Sequence, residues 1–96
     1  MSKVLIEGSK ILTEKEFYSE FNSAFDIGCY FGENLDALWD FMTTDMKRPI
    51  LIVWKNHKLS EGKLGLFFYK IINTFDDVKS FDEKLNFDEK FSYSLE

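Results

Sequence analysis

The sequence predicts an α/β fold, a small three-stranded parallel sheet packed with helices, and three observations carry that expectation. Ile50-Leu51-Ile52-Val53-Trp54 is apolar without polar alternation, which suits a central strand covered on both faces of a parallel sheet. Segments before and after it repeat apolar residues at helical spacing. Strand patterns stand near both ends, so the order strand, helices, strand, helices, strand implies parallel neighbours joined by right-handed crossovers. With 96 residues, one proline and neither a repeat nor a low-complexity linker, the expectation is one domain over residues 1–96.

Val4 to Ile6 reads as the first strand, followed by a turn at Gly8-Ser9. Thr13-Glu14-Lys15-Glu16 has the form of a capping box, with Leu12 placed to staple onto Phe17. Phe17, Phe21, Ala24 and Phe25 then mark the buried face of a first helix that Asp26-Ile27-Gly28 ends. Asn34 caps a second helix from Leu35 to about Thr44, whose Leu35, Leu38, Trp39 and Met42 follow the i, i+3, i+4, i+7 pattern of a one-sided helix. That places Trp39 in the core and turns Asp36, Asp40 and Thr43 outward.

After Lys47-Arg48-Pro49 and the central strand, Ser60 caps a third helix with a stripe of Leu64, Phe67, Phe68, Ile71, Ile72 and Phe75. Asp76-Asp77 follow it, and Val78, Phe81 and Leu85 have the spacing of a further short helix. Phe91-Ser92-Tyr93-Ser94-Leu95 alternates cleanly, as a closing strand with one buried face does.

Apolar residues make up 45% of the chain and aromatic ones 18%, which describes a packed globular protein. Its net charge of -5 is unevenly spread, for no Lys or Arg occurs between Lys15 and Lys47 while Glu16, Glu20, Asp26, Glu33, Asp36, Asp40 and Asp45 do. Nucleic-acid binding needs cations against phosphates, so this segment argues for a basic partner instead. Apolar runs fall far short of the roughly 18 residues of a membrane span. The opening Met1-Ser2-Lys3-Val4-Leu5-Ile6-Glu7 is too short in apolar residues for a signal peptide, and a lone Cys29 forms no internal disulfide. A cytoplasmic protein is the expectation.

The catalytic inventory is thin. One His and one Cys make no zinc cluster, His57 matches no nucleophile motif and is assigned to a surface loop, and Cys29 has no neighbouring base and reads as a plain thiol. Asp36 and Asp40 stand about 6 Å apart along a helix axis, a separation open to glycoside hydrolysis, but nothing in the chain suggests the walls of a sugar cleft. No catalytic residue, metal or cofactor is expected. Yet Asp40 lies toward the carboxyl end of its helix, where the macrodipole disfavours it, and its like-charge spacing to Asp36 costs about 0.2–0.5 kcal/mol. Local stability does not explain the pair, whereas a partner does. Tyr30 and Phe31, beside Gly32, set rings next to these acids as in a protein-binding patch.

The segment Tyr30-Phe31-Gly32-Glu33-Asn34-Leu35-Asp36-Ala37-Leu38-Trp39-Asp40 closely resembles the signature of the barstar family, intracellular protein inhibitors of secreted barnase-type ribonucleases. Looser similarity runs through the strand Ile50 to Trp54 and the third helix and fades after about Asp77. The resemblance implies a non-catalytic, barstar-like fold with three parallel strands and an inhibitory surface made by the second helix and the loop before it. By position, Tyr30, Phe31 and Gly32 fall in that loop, and Asn34, Leu35, Asp36 and Ala37 lie along the interface. Asp40 enters the nuclease active site as a phosphate mimic, Thr43 contacts the partner beside it, and Asp77 is a peripheral acid. Where the family archetype has glycine and tryptophan after the helix this chain has Thr44 and Asp45, and where it has cysteine this chain has Phe41, so partner choice is expected to turn on Thr44 and Asp45. The implied partner is a basic secreted ribonuclease bound one-to-one by a protein that is monomeric when free and binds neither nucleic acid nor membrane directly. An immunity or interaction protein of the same fold, with a different basic partner, is the alternative.

Overall fold

The computed structural model describes residues 2–26, 33–86 and 88–96. Strands β1 (Ser2–Glu7), β2 (Ile50–Lys55) and β3 (Phe91–Leu95) form one sheet in the order β1-β2-β3, with both pairings parallel. Helices α1 (Glu14–Phe25) and α2 (Leu35–Asp40) lie between β1 and β2, and α2 runs on into a π-helical turn, Phe41–Asp45. Helices α3 (His57–Leu64) and α4 (Leu66–Lys84) lie between β2 and β3.

Register explains which side of the sheet is core. Val4 pairs with Ile52, Ile6 with Trp54 and Ile50 with Phe91, so these side chains share one face, and all of them pack in or against the main cluster with Phe17, Phe21, Leu38, Met42, Phe68, Ile71 and Phe75. Phe17 stacks on Trp54 with ring centroids 5.7 Å apart, joining α1 directly to the sheet. The central-strand reading of Ile50 to Trp54 therefore holds, but cover on both faces does not. Leu51 is half-buried, Val53 is 1% exposed yet lies outside the cluster, and its registered neighbour Leu5 is 53% exposed. An unbroken apolar run does not separate a doubly covered strand from one screened on its second face by its own neighbours.

At α1, Thr13 Oγ1 accepts from Glu16 N at 3.1 Å while Glu16 Oε1 accepts from Leu12 N, one residue before the position a capping box uses. Leu12 stays 37% exposed. Asp26, with φ 54°, closes the helix in the left-handed conformation that suits short polar residues.

Three expectations for the second half change. Ser60 does not cap a helix, because α3 begins at His57 and Ser60 sits buried within it. Its hydroxyl accepts from Trp54 Nε1 at 3.1 Å and donates to Gly8 O at 2.9 Å. A Cβ at Gly8 would stand 2.3 Å from Asn56 O, so this close approach requires glycine. His57 is not a loop residue: it opens α3, stacks on Phe68, and both its N–H and its Nδ1 face Glu96 O, at 3.1 and 2.9 Å. Finally, Gly65 at φ 59° divides the stripe that was expected to run from Leu64 to Phe75, and α4 then continues without a break through Asp76-Asp77. Phe68, Ile71, Phe75, Val78 and Asp82 are buried at helical spacing, and that packing outweighs the capping tendency of two aspartates.

Candidate partner-binding surface

The start of α2 is set by Asn34, whose extended backbone and Oδ1, accepting from Ala37 N at 2.7 Å, satisfy one of the orphan donors of the first turn. Leu38 and Met42 are fully buried, while Leu35, Ala37 and Trp39 pack against the core at its margin. Trp39 is thus half-buried, with its ring edge-to-face on Phe81 of α4. Asp36 and Asp40 are exposed, as helical phasing predicts, and no basic residue lies in the last turn of α2.

The helix then widens. Met46 N donates to Phe41 O at 2.9 Å, a five-residue step, and Phe41–Asp45 adopt π-helical geometry. Thr43 donates to Trp39 O at 2.8 Å and Thr44 to Asp40 O, so both hydroxyl hydrogens point back along the helix and leave oxygen lone pairs for an incoming donor. Thr44 and Asp45 are exposed.

Two hollows flank α2. One of about 300 Å³ is lined by Glu14, Tyr18, Glu33, Asn34, Leu35, Asp36, Phe67 and Lys70. Burial, and then the charges of Glu14 and Glu33, push the Tyr18 hydroxyl up to about 12, a measure of how acidic this corner is. Lys70 shows that the lysine-free interval of the sequence is not lysine-free in space. The other hollow, about 360 Å³, is lined by Trp39, Asp77, Ser80, Phe81 and Lys84. Exposed Asp77 therefore stands beside α2 although it belongs to α4. Asp40 lines neither hollow, so the two acids of α2 do not share a cleft of the kind that glycoside hydrolysis needs. Tyr30, Phe31 and Gly32, like Cys29, lie outside the described residues. Among the described residues no cluster of His, Cys, Asp or Glu is fit to hold a metal ion, and no helix is long and apolar enough to cross a membrane.

The sequence matches the profile of the family described as Barstar (barnase inhibitor) over residues 1–94. The chain belongs to the barstar family. It is also 28% identical over 79 residues to the Bacillus subtilis (strain 168) protein named "Putative ribonuclease inhibitor YrdF", an overlap that covers 82% of this chain and 87% of that protein. The match to the barstar profile runs well past Asp77, where the signature-based resemblance was expected to fade, because β3 completes the family sheet.

One group on this barstar-family surface escaped the sequence reading. Arg48 Nη2 donates to Met42 O at 2.7 Å, Nη1 to Met46 O at 2.9 Å, and Nε to Asp82 Oδ2 at 2.8 Å. The cation missing from the last turn of α2 is supplied from three residues beyond the π-helical turn, where it meets the negative end of the helix. A signal existed: Asp82 stands at the next apolar period after Ile71, Phe75 and Val78, and a carboxylate at a core position demands a cation.

Proposed function

We propose that this barstar-family chain inhibits a basic, barnase-type ribonuclease by inserting the acidic face of α2 into its active site. A ribonuclease must hold a phosphodiester, so its catalytic pocket is lined with cations. A carboxylate offered on a rigid helix can take the place of the phosphate through charge-assisted hydrogen bonds in a site from which water is excluded. The observation that carries this reading is Asp40, exposed at the carboxyl end of α2 and with no basic residue in the last turn to neutralise it.

In this reading Asp36 and Asn34 flank Asp40 on the amino side, and Thr43, Thr44 and Asp45 extend the surface on the other. Leu35 and Ala37 supply its apolar margin. Tyr30, Phe31 and Gly32 approach from the preceding loop, and Asp77 adds a peripheral charge from α4. The protein occupies the nuclease one-to-one and does no chemistry of its own. Titrating it into barnase-type ribonucleases while RNA cleavage is followed tests the proposal: inhibition that saturates at one equivalent is expected. Full cleavage by every such enzyme tried, that of its own organism included, would sink it.

A further inference from the structure

We infer that Arg48 and Asp82 are positioning residues that fix the π-helical turn and so set how Thr43, Thr44 and Asp45 are presented relative to Asp40; this deepens the inhibitory reading above and rests on it. The guanidinium is a planar fork with donors in fixed directions, and here it spans the turn, holding the carbonyl of Met42 within it and that of Met46 just after it. Its third contact, Asp82 Oδ2, also accepts from Phe91 N at 2.8 Å, which ties the fork to the first residue of β3. The end of the recognition helix is thereby fastened to the sheet by one buried carboxylate.

Geometry gives the clamp its consequence. Successive residues of an α-helix are turned by about 100°, so a one-residue slip from the π-helical step back to an α-helical one swings Thr44 and Asp45 by that angle relative to Asp40. Nothing in the local sequence forbids the slip. The two threonine hydroxyls bond carbonyls on the α2 side of the turn, and only Arg48 joins its interior to its far end from outside the helix.

Stability alone is a poor reason for this pair. Asp82 is fully buried, its Oδ1 has no hydrogen-bond partner among the described residues, and the Arg48 side chain is only 11% exposed. A buried ion pair with an unsatisfied oxygen is matched or bettered in stability by well-packed apolar side chains, but these cannot hold two carbonyls in register.

Arg48→Lys tests the inference, because it keeps the charge opposite Asp82 and replaces the fork by a single ammonium. In the free protein, native-state amide exchange at Met46 should speed up at least about tenfold while the amides of Leu38 and Ile52 keep their rates. Acceleration by a common factor at all slow amides, the mark of a purely structural role, overturns the inference, as does an unchanged Met46. Should Arg48→Lys fail to fold, Asp82→Asn, which still accepts from Phe91 N, must give the same local pattern. Against a barnase-type ribonuclease that the wild type inhibits, Arg48→Lys should couple to Asp40→Ala by at least about fivefold in dissociation constant and to Asp36→Ala by less than about twofold. Equal coupling to both overturns it. The exchange measurement needs no nuclease, so a protein that inhibits none would defeat the proposed function while the clamp is judged on its own.

Discussion

Replacing Asn34 by Ala should lower stability by about 1 kcal/mol without unfolding the protein. Asn34 Oδ1 accepts from Ala37 N at 2.7 Å, and α2 has only six residues before it widens, so it has few internal hydrogen bonds with which to offset an open first turn. Losing an Asn cap to Ala costs about 0.5–2 kcal/mol, and for a chain of this length each kcal/mol lowers the melting temperature by about 4–8 °C. Asn34→Asp keeps the acceptor and adds a charge favoured at a helix amino end by about 0.3–1 kcal/mol. Repulsion from Glu33 and Asp36 offsets part of that gain. Thermal unfolding followed by circular dichroism therefore ranks wild type and Asn34→Asp together and Asn34→Ala clearly below them. An Asn34→Ala melting temperature within about 1 °C of wild type, or an Asn34→Asp protein as unstable as Asn34→Ala, would refute the capping argument.

Two further perturbations test the fold that holds α2. Ser60→Ala removes the hydroxyl that joins Trp54 Nε1 to Gly8 O, leaving two buried polar groups unsatisfied; urea unfolding should show a loss of about 1–3 kcal/mol, and a loss below about 0.5 kcal/mol contradicts the bridge. Tyr93 donates to Asp76 Oδ1 at 2.7 Å, and burial together with that carboxylate pushes its hydroxyl up to about 12 from an ordinary value of 10. The folded state then binds this proton more tightly than the unfolded state, so the stabilisation is whole below about pH 10 and is lost as pH rises toward 12. Tyr93→Phe should make the alkaline loss of stability shallower over that window, with Tyr18 accounting for the remainder; an unchanged slope counts against the assignment.

Features set by neighbours in the chain were legible in the sequence. Thr13 and Asn34 announce their helices because a cap and its donor lie three residues apart, and the outward direction of Asp36 and Asp40 follows from helical phase alone. The parallel three-stranded sheet was legible from element order. What stayed hidden was set by distant partners. Ser60 looked like a cap because its real acceptor, Gly8 O, is 52 residues away, and Arg48 looked like linker because Asp82 is 34 residues away. Asp76-Asp77 looked like a helix end because the burial of Phe75 and Val78, which carries α4 through them, depends on Trp54 and Tyr93 across the sheet. For the binding surface the acids of α2 were in plain view, whereas the placing of Asp77 and Glu14 beside them required the packing of α4 and α1.

Because Glu14 lines the same hollow as Asp36, the neutral control for the acidic plug is a remote exposed acid, Asp88, between α4 and β3. Asp40→Ala and Asp88→Ala change the net charge of -5 equally, so any difference between them reports position and not total charge. The decisive measurement is the inhibition constant of each variant against a barnase-type ribonuclease. Each charge-assisted hydrogen bond is worth about 1.5–3 kcal/mol, so Asp40→Ala should weaken inhibition by at least about tenfold while Asp88→Ala stays within about twofold of wild type. Equal effects of the two substitutions would contradict Asp40 as the group that fills the nuclease active site.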